Sequence, residues 1–419
     1  MYPAARRALC VRASFIVLVA SSRLLAAEPR GCDEEISRSN LIACAEARSP
    51  LIAAELASMR GAEGRVEGAR PFLPSNPMVL GSLATRSGGG VTATNWSLTL
   101  AQELEIAGQS GLRVEGAKSE LLAQGHQLSV VRAELAEQAW LLYFQSLATK
   151  ERLSLAVRIE NASLEVARTA QGMSVNGLSS PVDAAVADAS AVAASQRRLD
   201  AETAMRNAEL RLRVLVGTSA TPPLKGGLEP LAWTNAPPLE RPELAALTAL
   251  AQTSARRVEL LRRSRAPNPT LSVFAQNDGF DEKVFGVGLG LPIPLPQPLG
   301  RTKAGEIAEA VGIEERFQAE LERSQRVLAS ERDLAVNDYT KDLLARALYS
   351  GERVERASAA LTAIAQQLGA ARLSVREALM SQQALVSLLE AEVDAREALC
   401  AASVRVIRTH GGSLEGGAL

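Results

Sequence analysis

At 419 residues the chain is long enough for two or three domains of about 150 residues, and 47% apolar with 22% charged residues is the composition of a folded protein with a sizeable core. Forty-six basic side chains against forty-seven acidic ones leave a formal net charge of −1, which excludes attraction to nucleic acid or another polyanion through a global field. Only 3% of residues are aromatic and only His126 and His410 are histidine, so base stacking, a histidine metal cage and a histidine-dependent triad all lack parts; no enzyme, cofactor or metal centre is expected.

Residues 1–27 read as a secretory signal peptide: Arg6, Arg7 and Arg12 without an acidic residue, the apolar run Ala13 to Ala20, then small residues that suit cleavage after Ser22 or Ala27. The run is far shorter than the roughly 20 residues of a spanning helix. Cys10 leaves with this segment. Cys32 and Cys44 then have two readings, a bridge in an oxidising compartment or two free thiols, and Cys400 stands apart.

The mature chain repeats itself at a domain-sized separation. At 192 residues Arg70, Asn76, Pro77 and Gly108 fall on Arg262, Asn268, Pro269 and Gly300. At 194 residues Ser180, Asp200, Ala201, Ala204, Ala208, Arg211 and Gly217 fall on Ser374, Asp394, Ala395, Ala398, Ala402, Arg405 and Gly411. The first repeat is placed at 28–217 and the second at 243–411, with a Pro/Gly-rich linker at 218–242 and a flexible tail at 412–419.

Each repeat reads as a helix, a hairpin, a very long helix, a break and a return helix. The leading helices are predicted over 34–66 and 241–265. The hairpins are expected at about 77–104 and 269–293, where Trp96, Leu98 and Leu100 alternate with Ser97 and Thr99, and Phe285, Val287, Leu289, Leu291 and Ile293 alternate with Gly286, Gly288, Gly290 and Pro292. Stretches 111–173 and 305–368 lack proline and carry apolar residues at helical spacing; about 65 residues at 1.5 Å each extend about 100 Å. Returns follow at 181–216 and 374–409.

Four strands cannot close a barrel around a water-filled lumen, and two hairpins with apolar outer faces would be insoluble and edge-exposed. Three copies supply twelve strands, within the range of outer-membrane barrels, and a closed barrel satisfies every backbone group in lipid. Phe72, Trp96, Phe274, Phe280 and Phe285 lie in or beside the hairpins, as an interfacial girdle requires. The plain alternative is the core of a soluble hairpin.

These segments resemble a known family, the TolC-like outer-membrane efflux proteins, over essentially the whole mature chain. Ala45 to Val79 is similar to the family's opening helix and proline-containing entry to its first strand; Trp96 to Leu121 and Gly286 to Ala310 resemble its strand-to-helix passages in the heavy-metal and cation branch; Gly177 to Ala189 resembles its helix-turn-helix tip. The resemblance implies a mainly α fold with a small β part: a homotrimer forming a 12-stranded outer-membrane barrel in lipid, continued by a periplasmic α-barrel. Its partners would be a periplasmic adaptor (membrane fusion protein) and an inner-membrane pump of the RND type. Prolines 292, 294, 296 and 298 crowd the second passage, and Ala371 stands where the first tip has Gly177.

The tips at 177–183 and 371–377 have a structural and a functional reading. Gly177, Leu178, Ser179 and Ser180 form a turn with Ser180 as N-cap before Pro181; Ala371, Arg372, Leu373 and Ser374 form its counterpart. An exposed turn at the end of a rigid hairpin is also where an adaptor can dock. Asp183 and Glu377, at matching positions after the turns, become rings of three carboxylates under threefold symmetry if they face the pore, or serve as ordinary partners of the helix dipole; Arg372 is in position to pair with Asp183. The leading function is a passive outer-membrane duct exporting metal ions or small toxic compounds. The rivals are a periplasmic adaptor or scaffold, which normally carries one such hairpin, the duct of a type I protein secretion system, and, remotely, a hydrolase using scattered carboxylates.

Overall fold

The computed structural model describes residues 32–88, 90–219, 221–234, 237–277, 282–295 and 302–414. The leader at 1–27 with Cys10, the girdle residue Phe280, Pro296, Pro298, Gly300 and tail residues 415–419 lie outside the described residues. Helices α1 (Leu41–Arg48) and α2 (Pro50–Ala69) lead to strands β1 (Met78–Gly88) and β2 (Val91–Glu103). The chain then runs along α3 (Gln109–Val175), turns, and returns along α4 (Pro181–Val216). The order repeats through α5 (Pro242–Arg263), β3 (Thr270–Asn277), β4 (Lys283–Gly290), α6 (Ala304–Leu348), α7 (Gly351–Gly369) and α8 (Val375–Thr409).

Three expectations need correction. The leading helix of the first repeat is two helices and begins only at Leu41. Pro50 forces Ser49 out of the helical region to ψ 120, and Ser49 then caps α2 by accepting from the Ile52 amide at 3.4 Å. The second long helix breaks at Tyr349-Ser350-Gly351, a serine-glycine pair of the kind that kinks helices; Ser350 is extended, and Arg353 covers the exposed Leu348 carbonyl with a 2.8 Å hydrogen bond. The third concerns the match of Gly108 to Gly300. Gly108 is the left-handed N-cap of α3 at φ 74, and Lys303 holds that place at α6 with φ 54. Gly217 and Gly411, by contrast, are both left-handed just past their return helices, at φ 72 and 73, as the duplication requires.

The four strands form one antiparallel sheet in the order β1-β2-β3-β4, so the two hairpins join through β2 and β3, from Trp96↔Asn277 to Glu103↔Thr270. At its foot Asn268 donates to Glu103 and accepts from Gln109, tying the start of α3 to the second hairpin. From there α3 runs 67 residues without a break, about 100 Å.

The main core lies half-way along it. Trp140, Tyr143 and Phe144, spaced to share one helix face, are fully buried with their rings 5.5 to 5.7 Å apart. Against them pack α1, the ends of α4 and α8, and two segments read as connectors. The linker contributes buried Leu228 and Leu231 and accepts the Tyr143 hydroxyl on the Lys225 carbonyl at 2.6 Å; the tail contributes Leu414, whose carbonyl accepts from Trp140 Nε1 at 3.1 Å. Leu414 is therefore part of the core, where a flexible tail was expected. The N-terminal segment joins the same core through a Cys32–Cys44 disulfide and a parallel bridge of Ile36 to Leu224. A second core, rich in alanine, runs between the lower half of α3, α4, α7 and α8.

Beside the main core Arg408, almost wholly buried, bonds Glu243 and lies 3.8 Å from Glu137, while Arg241 bridges Glu243 and Glu331 at 3.1 and 3.2 Å. Burial pushes the Glu137 carboxyl up; it pushes Glu243 up as well, but hydrogen bonds from Arg408 and Arg241 outweigh it and hold that carboxyl below its usual value. The cluster ties α3, α5, α6 and α8 at one level. Replacing Arg408 with alanine leaves Glu137 and Glu243 underpaired, and we expect a loss of about 3 kcal/mol in urea unfolding. The disulfide spans 12 residues, and a Cys44→Ser variant should lose about 2 to 3 kcal/mol in the same measurement.

Candidate functional site

The two ends of the molecule carry different chemistry. At the sheet end, register sorts the side chains by face. Val79 pairs with Leu100, Leu83 with Trp96, Leu98 with Ala275, Val273 with Val287 and Leu271 with Leu289, giving one continuous apolar face. It is open to the surroundings: Leu83 and Phe285 are each 77% exposed. The opposite face carries Ser82, Asn95, Ser97, Thr99, Ser272, Gln276 and the glycines 286 and 288. Here Phe274 needs correction. It pairs with Thr99 and Gly286 and so lies on the polar face, where its ring covers Gly286 so closely that a Cβ there would collide with it. Among the described girdle residues Trp96 and Phe285 share the apolar face, and Phe72 is exposed just before β1.

At the other end the two predicted tips lie side by side, with Gly369 packed near Thr169 and both return helices seated in the alanine-rich core. Each turn is a Schellman motif. In the first, Leu178 N–H donates to Met173 O at 2.8 Å and Gly177 N–H to Ser174 O at 3.0 Å; in the second, Arg372 N–H donates to Gln367 O and Ala371 N–H to Leu368 O, both at 3.0 Å. The motif demands a left-handed residue, supplied by Gly177 at φ 71 and by Ala371 at φ 53. Ser180 and Ser374 then restart the helices as N-caps, and the Ser179 hydroxyl donates to the Ala170 carbonyl. Leu178 and Arg372 are exposed and Leu373 half-buried.

The two candidate constriction residues differ. Glu377 reaches back to close a capping box, Oε2 accepting from the Ser374 N–H and hydroxyl at 2.8 Å each. Those bonds, the backbone one first, hold its carboxyl below the usual glutamate value. Asp183, one methylene shorter, sits half-buried in the first turn of α4 while Ser180 accepts from Val182 instead. Arg372 and Asp183 form no ion pair among the described residues, because backbone hydrogen bonds rather than charge close each turn. His410 packs on Trp233, far in the fold from any such turn. No described helix is long and apolar enough to cross a membrane.

Residues 41–218 match the family model of the outer membrane efflux proteins. That match spans the first repeat, which is similar to the outer membrane efflux proteins. Solved structures extend the likeness in fold over both repeats. CusC shares 14% identity, with 90% of this chain and 92% of that chain covered and a TM-score of 0.72. VceC of Vibrio cholerae shares 17%, with 90% and 96% covered and a TM-score of 0.72. MtrE of Neisseria gonorrhoeae, an outer membrane channel solved in its open state, shares 14%, with 91% of each chain covered and a TM-score of 0.73. The chain therefore carries the TolC-like fold. No curated protein matches it in sequence.

An alanine held at positive φ costs about 1 kcal/mol relative to glycine, so Ala371→Gly should raise stability by about that amount and Gly177→Ala lower it by as much, read from thermal unfolding. The Glu377 cap is present above the ordinary glutamate range and is lost as pH falls through the lowered value. Hydrogen-exchange protection at Glu377 and Ala378, taken relative to the intrinsic rate at each pH, should then fall in acid, and less so in Glu377→Gln, which keeps the capping geometry without the charge.

Proposed function

We propose that the protein is the outer-membrane channel subunit of a tripartite efflux system, a passive duct that catalyses no reaction. The observation that carries this reading is a four-stranded sheet with one largely exposed apolar face and two open edges, set on a helix about 100 Å long. In water such a face and such edges are a liability; in a bilayer the face needs lipid and the edges need strands. Three copies joined β4 to β1 supply twelve antiparallel strands with the Ser/Thr face toward a watery lumen, and the helices continue the barrel as a periplasmic tunnel. The relatives compared above are outer-membrane proteins and channels in their own right, which supports the same location for this chain.

The turns at 177–180 and 371–374 are then the surfaces offered to a periplasmic adaptor, and through it to an inner-membrane pump of the RND type. Asp183 and Glu377 stand just inside the tunnel mouth. Metal ions or small toxic compounds are the cargo class, as the resemblance to the heavy-metal and cation branch implies; the polar face, mostly small and uncharged residues with Arg86 and Glu103 towards its two ends, makes no more specific demand. A periplasmic adaptor reading is disfavoured by the sheet, whose apolar face would stand in water.

Light scattering of the detergent-purified protein should give a trimer, and a stable detergent-free monomer would overturn the duct. In planar bilayers Asp183→Asn with Glu377→Gln should raise conductance or weaken cation preference with the trimer intact. Wild-type conductance and selectivity would remove both residues from the constriction and leave the duct reading in place.

A further inference from the structure

Just below the sheet, α2 and α5 pack on either side of α3, and the three helices line a recess of about 710 Å³. Small-molecule pockets usually measure about 300 to 1,000 Å³. Helical spacing brings Gly61, Gly64 and Gly68 of α2 to its wall, and nothing in the chain comes within 4 Å of the position a Cβ would take at Gly64 or Gly68. At Gly61 that position is 3.6 Å from the Arg65 guanidinium, so the missing side chain leaves the arginine room along the wall. Glycine weakens a helix relative to alanine, and here its effect is to keep a space open.

The recess is basic, although the chain as a whole has a formal net charge of −1. Four arginines line it, Arg65 on α2, Arg113 on α3 and Arg256 and Arg257 on α5, against one carboxylate, Glu120. Arg113 is committed to the fold: it bonds Glu105 at 2.6 Å and the Ala69 and Pro71 carbonyls at 3.5 and 3.2 Å. The other three are freer. Arg65 meets Glu120 at 3.0 Å and Arg256 meets Glu115 at 3.4 Å, both half-exposed pairs of the kind that holds weakly. Arg257 is exposed and has no ion-pair partner among the described residues. We propose that the recess binds a phosphate-bearing solute of the diphosphate class, its negative oxygens taken by Arg65 from one wall and by Arg256 and Arg257 from the other. Guanidinium N–H groups pair with such oxygens two at a time, and donors on opposite walls call for a ligand charged at both ends. A phospholipid headgroup shares this chemistry, but the recess is hollow where α2 and α5 flank α3, and a row of helices curved that way turns its hollow side to the lumen when it closes into a tube. The site lies within one chain; its place in the tunnel wall rests on the channel reading. There it sets a basic belt just below the barrel, opposite in sign to Asp183 and Glu377 at the tips.

The test is titration calorimetry of the detergent-purified full chain with inorganic pyrophosphate. Binding should weaken about tenfold in Arg257→Gln, the loss expected for one charge-assisted hydrogen bond. It should disappear in Gly64→Leu, whose side chain fills the recess, and stay unchanged in Arg262→Gln, on α5 but outside the recess, with far-UV helix content kept in all three. Pyrophosphate that does not bind the parent chain, or that binds Arg257→Gln and Gly64→Leu as well as the parent, overturns the site. Native mass spectrometry separates the two sources of phosphate: phosphatidylglycerol retained over phosphatidylcholine by the parent and lost in those two variants, without pyrophosphate binding, assigns the arginines to a headgroup and overturns the solute. Light scattering of the same samples keeps the two readings apart. A trimer that does not bind loses the recess and keeps the channel, and a monomer that binds keeps the recess and loses the channel.

Discussion

A helix about 100 Å long cannot bury its apolar stripe on itself, and the rest of the chain is arranged around that constraint. No other single element matches the 67 residues of α3, so its surface is covered in stages: α2 and α5 near the sheet, α1, the linker and the tail at mid-height, and α4, α7 and α8 toward the tips. The joints between stages fall at one level, where Trp140, Tyr143 and Phe144 gather the ends of several elements. Large rings suit this position because they fill the irregular space where helices stop. Below that level alanine takes over, and helices run close together without interruption.

The core around Trp140, Tyr143 and Phe144 also explains why two segments with the composition of connectors are ordered. The linker reaches the core through Leu228 and Leu231 and fixes its backbone with the Tyr143 hydroxyl and a hydrogen bond from Leu231 N–H to Ser403. The N-terminal segment is clamped from both sides, by the disulfide to α1 and by the backbone bonds of Ile36 to Pro223 and Lys225. Arg38 completes the cover by lying over Trp140 and Phe144 while pairing with Glu229.

Elements whose signals are local were readable in the sequence. The return helix 181–216 has Ser180, Pro181 and Gly217 to mark its ends, and the structure keeps those bounds. The hairpins were readable from alternation, but alternation alone does not say which face an aromatic joins across a pairing; Phe274 was misplaced because its face follows from Ser272 and Gln276 on its own strand and from Gly286 on the next. The break at 349–351 was missed because serine and glycine are tolerated inside helices. The mid-helix core was missed for a different reason: the face of Trp140, Tyr143 and Phe144 is local, but its partners come from residues 32–44, 221–231 and 414, and nothing local announces such long-range contacts. At the tips the serine caps were legible, whereas the capping box and the strain at Ala371 are matters of side-chain reach and backbone angle.

If three copies assemble as proposed, the duplication would leave a mismatch between the symmetry of the copies and that of the tunnel mouth. In the proposed trimer, two similar turns per chain would present six turns on a ring, alternating between a relaxed one built on Gly177 and a strained one built on Ala371. A partner reading only the shared backbone shape of the Schellman turns meets six equal seats. One that senses Pro181 against Val375, or the bound carboxylate of Glu377 against the unbound one of Asp183, meets three seats of each kind. Whether a partner docking there would assemble in threes or in sixes would then turn on a handful of atoms beside two turns.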